Sequence, residues 1–437
     1  MRIRALDGVF TDRPLLRGAA TAMFVTGGSM VSGFAVQVTL TRHLGHAGYG
    51  AYAFAFGCVN IGVILAKGDL DTVATRFGAT FGSVGDWGRF RSMTRLLLSW
   101  TGALAIGLSL VALVGLLVSR PIVLASTTSV LLASLAILPP MAVAAVASAI
   151  LQSVGRVFAA QFPSAILRSV LFLVILLVAG AGTTHLTPEF AAGANTVASV
   201  VALGLSLFLL GRLNPGHDAT PIPRDEQVVW VKAARGALLV SLGQIVLSTQ
   251  TDVVLLGVFT TKEQSGYYAV GSQLANLAVL GIFAIQTVVG PRIAALYSKG
   301  DLVGLQSLVD RVRRGSLLLT VPLLVALVAG GPWILQLYGP AFVIGSYPPL
   351  VILTLAMFTF PLMGNIGGFL LTLTGHHDDA ARIVAISAGC YLALAFVLGP
   401  RYGPEGIATC TLVAYSLRSV LLYRFAKRHI GIDLLGA

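Results

Sequence analysis

Charge is what this chain has least of. Only 11% of its 437 residues are Asp, Glu, Lys or Arg, where a soluble domain carries about 25%. So little charge cannot coat a water-soluble globule, which excludes an ordinary cytosolic fold. Cysteine is equally sparse. Cys58, Cys390 and Cys410 all fall in apolar runs, where a thiol behaves as a small hydrophobe, so neither a disulfide frame nor a cysteine metal site is expected. Acids are outnumbered, 17 against 29 Lys and Arg, for a net charge of +12. The motifs of common catalysts are also missing. There is no G-x-x-x-x-G-K-[ST] and no H-E-x-x-H, so no built-in ATPase and no zinc hydrolase is expected. No polar segment is long enough for a catalytic domain. The pair of His and pair of Asp at His376–Asp379 lack ligand spacing and fall in a short turn, so no metal and no bound cofactor are expected.

What is there is apolar. The chain is 56% hydrophobic with mean hydropathy +0.88 and 49 glycines, a usage suited to helices packed closely in lipid. Taking roughly 20 apolar residues per span, twelve spans are expected. They fall near 18–41, 50–70, 94–118, 127–152, 158–180, 189–211, 233–258, 266–290, 315–337, 348–373, 381–399 and 405–425. The first follows Arg2, Arg4, Arg13 and Arg17, and its apolar run is too long for a signal-peptide core, so it is expected to be retained. Pro139-Pro140, Pro322 and Pro361 lie inside spans and mark kinks.

Lys and Arg sort by loop. Every second loop is rich in them, while the alternate loops hold only Arg42, Arg120, Lys262 and Arg401. This alternation supports the even span count and places both termini in the cytoplasm, with the basic excess answering to a membrane rather than to nucleic acid. A polar linker around Asn214–Val231 divides six spans from six. PEFAAGANTVA (188–198) matches PEGIATCTLVA (404–414), AGYGAY (47–52) resembles QSGYYAV (264–270), and LQSVG (151–155) sits opposite LTLTG (371–375), all at offsets near half the chain. The expected fold is therefore an all-α integral membrane protein. Two six-helix lobes, 1–213 and 232–437 around a cytoplasmic linker 214–231, would be related by a pseudo-two-fold axis along the membrane normal.

Polar residues inside the spans are the candidate site. Ser241, Gln244, Ser248 and Thr251 make one stripe on span 7, and Thr26, Ser29, Gly33 and Gln37 repeat it on span 1. Two readings stay open: helix-to-helix glue, or the wall of a water-filled cavity. Asp252 is the acid placed most clearly within a span, a costly position that makes it a candidate for proton or cation coupling, unless it reaches water or Lys262 near the outer end. Arg168 lies about ten residues into span 5 and is expected to face the cavity rather than lipid. Arg418 is near enough to a helix end to reach the cytoplasmic face. In VILAKGDLDTVATRF (63–77) the wheel puts Lys67 and Asp71 on one face and Asp69 and Arg76 on the opposite one. These charges are either two ion pairs on a helix leaving the membrane or the rim of a cytoplasmic vestibule.

Several stretches together carry a resemblance: LTRHLGHAGYGAYAFAFGCVNIGV, STQTDVVLLGVFT, SGYYAVGSQLANL, PRIAALYSKGD, LYGPAFVIGSYPPLVIL and LGPRYGPEGIATCTLVAYSLRSVLLYRFAKRHIG. They resemble the Wzx-type polysaccharide flippases (O-antigen and exopolysaccharide transporters) of the multidrug/oligosaccharidyl-lipid/polysaccharide (MOP) exporter superfamily. The resemblance implies a MATE-like pair of lobes alternating between inward- and outward-open states in the bacterial inner membrane. It implies an undecaprenyl-pyrophosphate-linked oligosaccharide as substrate, polysaccharide polymerase or export proteins as partners, and an H+ or Na+ gradient as drive. It maps the span 7 acid onto Asp252 and makes Arg168 and Arg292 candidates for a cationic lining.

On that footing Gln37, Asn60, Gln244, Gln273 and Asn276 are candidates for bonding sugars through amides. An inner face rich in Lys and Arg attracts a pyrophosphate. The alternative is a MATE-type multidrug or cation antiporter, which wants buried carboxylates where these spans offer Asp252 and little else. A membrane glycosyltransferase or polymerase would need a large loop with clustered acids or a nucleophile, and the sequence has none.

Overall fold

Long apolar runs with no backbone partner outside themselves form helices, because a helix satisfies its own amides in hydrocarbon. The computed structural model describes residues 13–118, 125–182, 186–213, 220–278, 296–364 and 376–434, together with 289, 292, 293, 367, 368, 370, 371 and 374. Every regular element among these is helical. The chain forms two compact units, one of Met1–His43 with Cys58–Leu238 and the other of Leu44–Gly57 with Leu239–Ala437.

The first unit begins with α1 (Arg13–Lys67), which is two helices joined at Gly45, where φ is 67° and ψ −178°. Only glycine takes such a backbone at no steric cost. The break falls in the expected loop between spans 1 and 2, and the segment just beyond it, Leu44–Gly57, packs with the second unit. Then follow α2 (Leu70–Val84), α3 (Trp87–Val118), α4 (Ala125–Leu135) and α5 (Leu138–Ser153). The break between α4 and α5 is set by Pro139-Pro140, which open α5 where their missing N–H groups cost nothing. Helix α6 (Val157–Gln161) passes through a π turn at Phe162–Leu167, opened by Pro163, into α7 (Arg168–Gly182), and α8 (Pro188–Leu213) follows. Helix α9 (Arg224–Val246) starts in this unit. It is anchored by Trp230, fully buried against Phe77 and Phe81 beside Phe90, Met93, Leu97 and Ile150.

The second unit holds α10 (Thr249–Phe259), α11 (Lys262–Leu277), α12 (Leu302–Gln336), α13 (Pro340–Thr359) and α14 (His377–Phe425). Pro322 stays inside α12 without ending it, whereas Pro361 falls in a π turn, Phe360–Gly364. Helix α14 is again two helices, joined at Gly403 with φ 55°. A last π turn, Ala426–Ile430, leads to a tail fixed against α12. There the Gln306 side-chain amide and the Asp433 backbone exchange hydrogen bonds of 2.7 and 2.8 Å, and Ile432 and Leu434 are buried.

The segments around the two Gly-Tyr matches found by internal repetition meet inside this second unit, at Gly50 just past the first and at Gly266 of the second. A Cβ on Gly50 would collide with the Lys262 carbonyl, and one on Gly266 would sit 3.0 Å from the Gly50 backbone. Tyr49 and Tyr267 both pack edge-on against Phe342. Glycine is required at both places because two helix backbones touch.

Nine helices among the described residues are long and apolar enough to span a bilayer, and two of them, Val25–Lys67 and Asp378–Ile430, each run across a glycine kink. Span 7 falls on α9 and the short apolar α10; the second half of span 8 lies outside the described residues. Twelve spans are compatible with this layout. Many large apolar side chains point outward: Val111, Val118, Leu318 and Trp333 are at least 70% exposed. Small and hydroxyl residues are turned inward, including Thr101, Ser134, Ser316 and Ser346. That inversion fits a protein whose solvent is lipid.

Candidate functional site

Asp252 sits in the first turn of α10, 3% exposed, in the middle of the second unit. Its two carboxylate oxygens face three hydroxyls from two other helices. Tyr268 of α11 donates to Oδ2 at 2.5 Å, Tyr391 of α14 donates to Oδ1, and Thr411 approaches Oδ2 at 3.4 Å. Tyr268, Tyr391 and Thr411 are themselves buried. Tyr391 and Thr411 lie on opposite sides of the Gly403 kink, so the kink in α14 folds both back onto one carboxylate. The alternative expectation, an Asp reaching water or Lys262, is not what the structure shows. The cage is all oxygen. Such a set suits a proton or a small hard cation.

The expected span 7 is not continuous. Helix α9 ends at Val246, and Ser248 is extended, with φ −96° and ψ 152°, before α10 begins. The freed carbonyls are met by side chains. Ser248 and Thr251 both donate to the Ile245 carbonyl at 2.6 Å, and the Tyr415 hydroxyl donates to the Leu247 carbonyl at 2.9 Å. Part of the polar stripe thus serves the break itself, an option between glue and cavity wall that a helical wheel hides. Asn276 donates to Thr249 Oγ1 at 3.1 Å beside the same break. Of the other candidate amides in this unit, Gln244 is exposed and Gln273 half-buried.

In the first unit Arg168 stands where the π turn becomes α7. Its Nη1 donates to Asn195 Oδ1 at 3.1 Å, and its Nε to the Ser164 carbonyl at 3.3 Å. Asn195, on α8, is 1% exposed. The guanidinium is thereby held inside the bundle. A π turn beside a functional side chain is a recurrent arrangement. Gln37 is buried and Asn60 half-buried in this unit, and Arg292, in the other, is half-buried.

The vestibule residues depart from the wheel. Lys67 and Asp71 do pair, at 2.6 Å. Between them the chain leaves the helix, with Gly68 at φ 49° and Asp69 at φ 55°. Asp69 is consequently tucked in at 5% exposure ahead of α2, while Arg76 is exposed with its guanidinium 5.5 Å from the Phe77 ring centre. Asp69 and Arg76 do not share a helical face, because a left-handed turn resets the wheel. Asp71 and Arg76 instead line a groove of about 450 Å³ with Thr72, Thr75, Ser148 and Gln152.

Tyr268, Tyr391, Thr411, Tyr415 and Asn195 are the participants that sequence reasoning did not single out. Each is an ordinary polar residue in its own helix, and the partners of Asp252 on α14 are more than a hundred positions away.

Residues 236–343 match the family model described as polysaccharide biosynthesis protein. The stretch includes Asp252, Tyr268 and the second Gly-Tyr. No curated protein sequence matches the chain. Solved structures match over nearly all of it. An inward-facing MATE-family multidrug resistance transporter of the MOP superfamily superposes with a TM-score of 0.75 at 12% identity, covering 94% of this chain and 98% of that one. The lipid II flippase MurJ, in an inward closed conformation, gives 0.69 at 14% identity over 93% and 87%. A MOP-superfamily transporter from Pyrococcus furiosus, described as having a binding pocket of reversed polarity, gives 0.65 at 15% identity over 96% and 95%. The chain has the all-α membrane fold shared by these proteins. The resemblance read from the sequence holds in the fold of the whole chain and in the family match over 236–343.

Proposed function

We propose that this chain is a flippase of polysaccharide biosynthesis, carrying undecaprenyl-pyrophosphate-linked oligosaccharide units from the cytoplasmic to the outer leaflet of a bacterial inner membrane. It works by alternating access, is driven by an H+ or Na+ gradient, and keeps both termini in the cytoplasm. The observation that carries this reading is the family match over 236–343, because it falls on the segment that holds the buried acid. The physical case is consistent. A pyrophosphate cannot cross hydrocarbon bare, and the basic surplus of this chain suits an anionic head. Arg168, held by Asn195, supplies a cation inside the bundle, with Arg292 as a second candidate. The Asp252 cage is where the driving ion would act. Binding or releasing a proton or Na+ there changes what Tyr268, Tyr391 and Thr411 can donate to, and so couples α10, α11 and α14. The chain is a transporter and not an enzyme, and it hands its cargo to a polymerase or export apparatus.

Deleting the gene tests this directly. Lipid-linked repeat units should accumulate on the cytoplasmic side and surface polysaccharide should disappear. Normal export in a clean deletion would refute the proposal. A second reading, a MATE-type multidrug or cation antiporter, is favoured by the TM-score of 0.75 to a multidrug transporter. A drug-sensitivity screen of the same deletion separates the two: hypersensitivity to cationic drugs with normal polysaccharide supports the antiporter.

A further inference from the structure

Helix α12 has an exposed face whose chemistry changes along its length. Ser307, Arg311 and Arg314 lie exposed at helical spacing, and the same line continues through exposed Leu318, Pro322 and Val325. Beside its polar end lies a groove of about 510 Å³, bounded by the backbone of Gly431. The tail that forms this wall is fixed, because Asp433 is tied to Gln306 and also pairs with Lys427 at 2.8 Å.

The charges in the groove do not cancel. Its acid, Asp310, is engaged by Arg313 at 3.7 Å and by Gln306 at 3.4 Å. Arg313 also reaches the Leu434 carbonyl. Among the described residues Arg311 bonds its own helix, through the Ser307 carbonyl at 3.3 Å. Arg314 has no hydrogen bond or ion pair among the described residues. Two guanidinium groups are therefore left to face outward, with a strip of hydrocarbon leading away from them. From Arg314 to Val325 is about 16 Å at 1.5 Å per residue, close to the depth of one leaflet.

We propose that this groove binds an anionic phospholipid. The lipid phosphate sits between Arg311 and Arg314 with Ser307 beside it, and an acyl chain lies along Leu318, Pro322 and Val325. A soluble anion has no use for the apolar strip. A zwitterionic lipid leaves the two arginines undercompensated. Basic pockets at the membrane boundary that take anionic head groups follow the same electrostatics.

The test titrates the full-length protein, in neutral detergent, with phosphatidylglycerol and reads bound lipid by native mass spectrometry. Each arginine removed should weaken binding about fivefold, and R311Q with R314Q together on the order of 25-fold. The pair R95Q with R212Q removes the same charge elsewhere and should change binding less than about twofold. L318S should weaken long-chain phosphatidylglycerol and leave the dihexanoyl form unaffected. Both arginines are exposed, so the melting temperature of the double variant without lipid should match the parent. If it falls, R314Q alone, whose side chain has no hydrogen-bond or ion-pair partner among the described residues, carries the test. Equal losses in the two double variants overturn the proposal, as does phosphatidylcholine binding as tightly as phosphatidylglycerol. Undecaprenyl pyrophosphate binding there more tightly, with the same arginine dependence, also overturns it and assigns the groove to transported substrate.

Discussion

Arg168 and Asp252 are both ionisable groups deep in apolar helices, one in each unit, and they are accommodated in opposite ways. Arg168 uses reach: a long arm bends to one amide on a neighbouring helix and one carbonyl of its own. Asp252 has no reach, so the protein comes to it, with hydroxyls converging from α11 and from both halves of α14. The difference separates two tasks. A long cationic arm can grip an anion of varying shape. A closed ring of oxygens holds only something the size of a proton or a bare cation. One cost is common to both, since neither side chain survives in hydrocarbon unpaired.

The comparison breaks most readily at Asp252. Asp252→Asn keeps the shape but turns an NH2 donor toward hydroxyls that need an acceptor. Export of lipid-linked units, measured as surface polysaccharide, should fall on the order of a hundredfold, equivalent to about 2.7 kcal/mol. Unchanged export would make the cage purely structural. Arg168→Ala comes next. It should weaken binding of a pyrophosphate-linked lipid about tenfold, in the range of a charged hydrogen bond, while a neutral glycolipid binds as before. Equal loss for both ligands would reduce Arg168 to packing.

Tyr391→Phe sharpens the contrast, because it removes one of three donors and leaves the carboxylate. A loss of about 1 kcal/mol in thermal unfolding is expected, with export reduced no more than about fivefold. A collapse as deep as that of Asp252→Asn would mean that the tyrosine itself carries the proton. The smallest effect is expected at Lys67→Ala, which removes a half-exposed i,i+4 pair worth roughly 0.3–0.5 kcal/mol. A large loss of export there would place the vestibule, and not the buried groups, at the centre of substrate capture.

Some of this was visible in residue order. Asp252 and Arg168 stand out because ionisable groups are rare in apolar runs. The Gly-Tyr repeats stand out because they recur near half the chain; Gly266 of the second meets Gly50, the residue just past the first, and that backbone contact shows why glycine stands at those two positions. The break at Leu247–Ser248 left no such trace, since Ser, Thr and Gln at steps of three and four read as an unbroken helical stripe. The left-handed turn at Gly68-Asp69 likewise defeats the wheel, which assumes that 100° accrues at every residue.

The sequence by itself determined that this is a multi-spanning helical membrane protein, because a chain so poor in charge has no other solvent than lipid and no other way to satisfy its backbone there. It also marked which ionisable groups have to be dealt with. Only the tertiary structure decided how: which hydroxyls reach Asp252, which amide holds Arg168, and which arginines of α12 are left facing outward. Those partners are fixed by kinks at single glycines and by helices far apart in the chain, and hydrophobic periodicity carries no record of either.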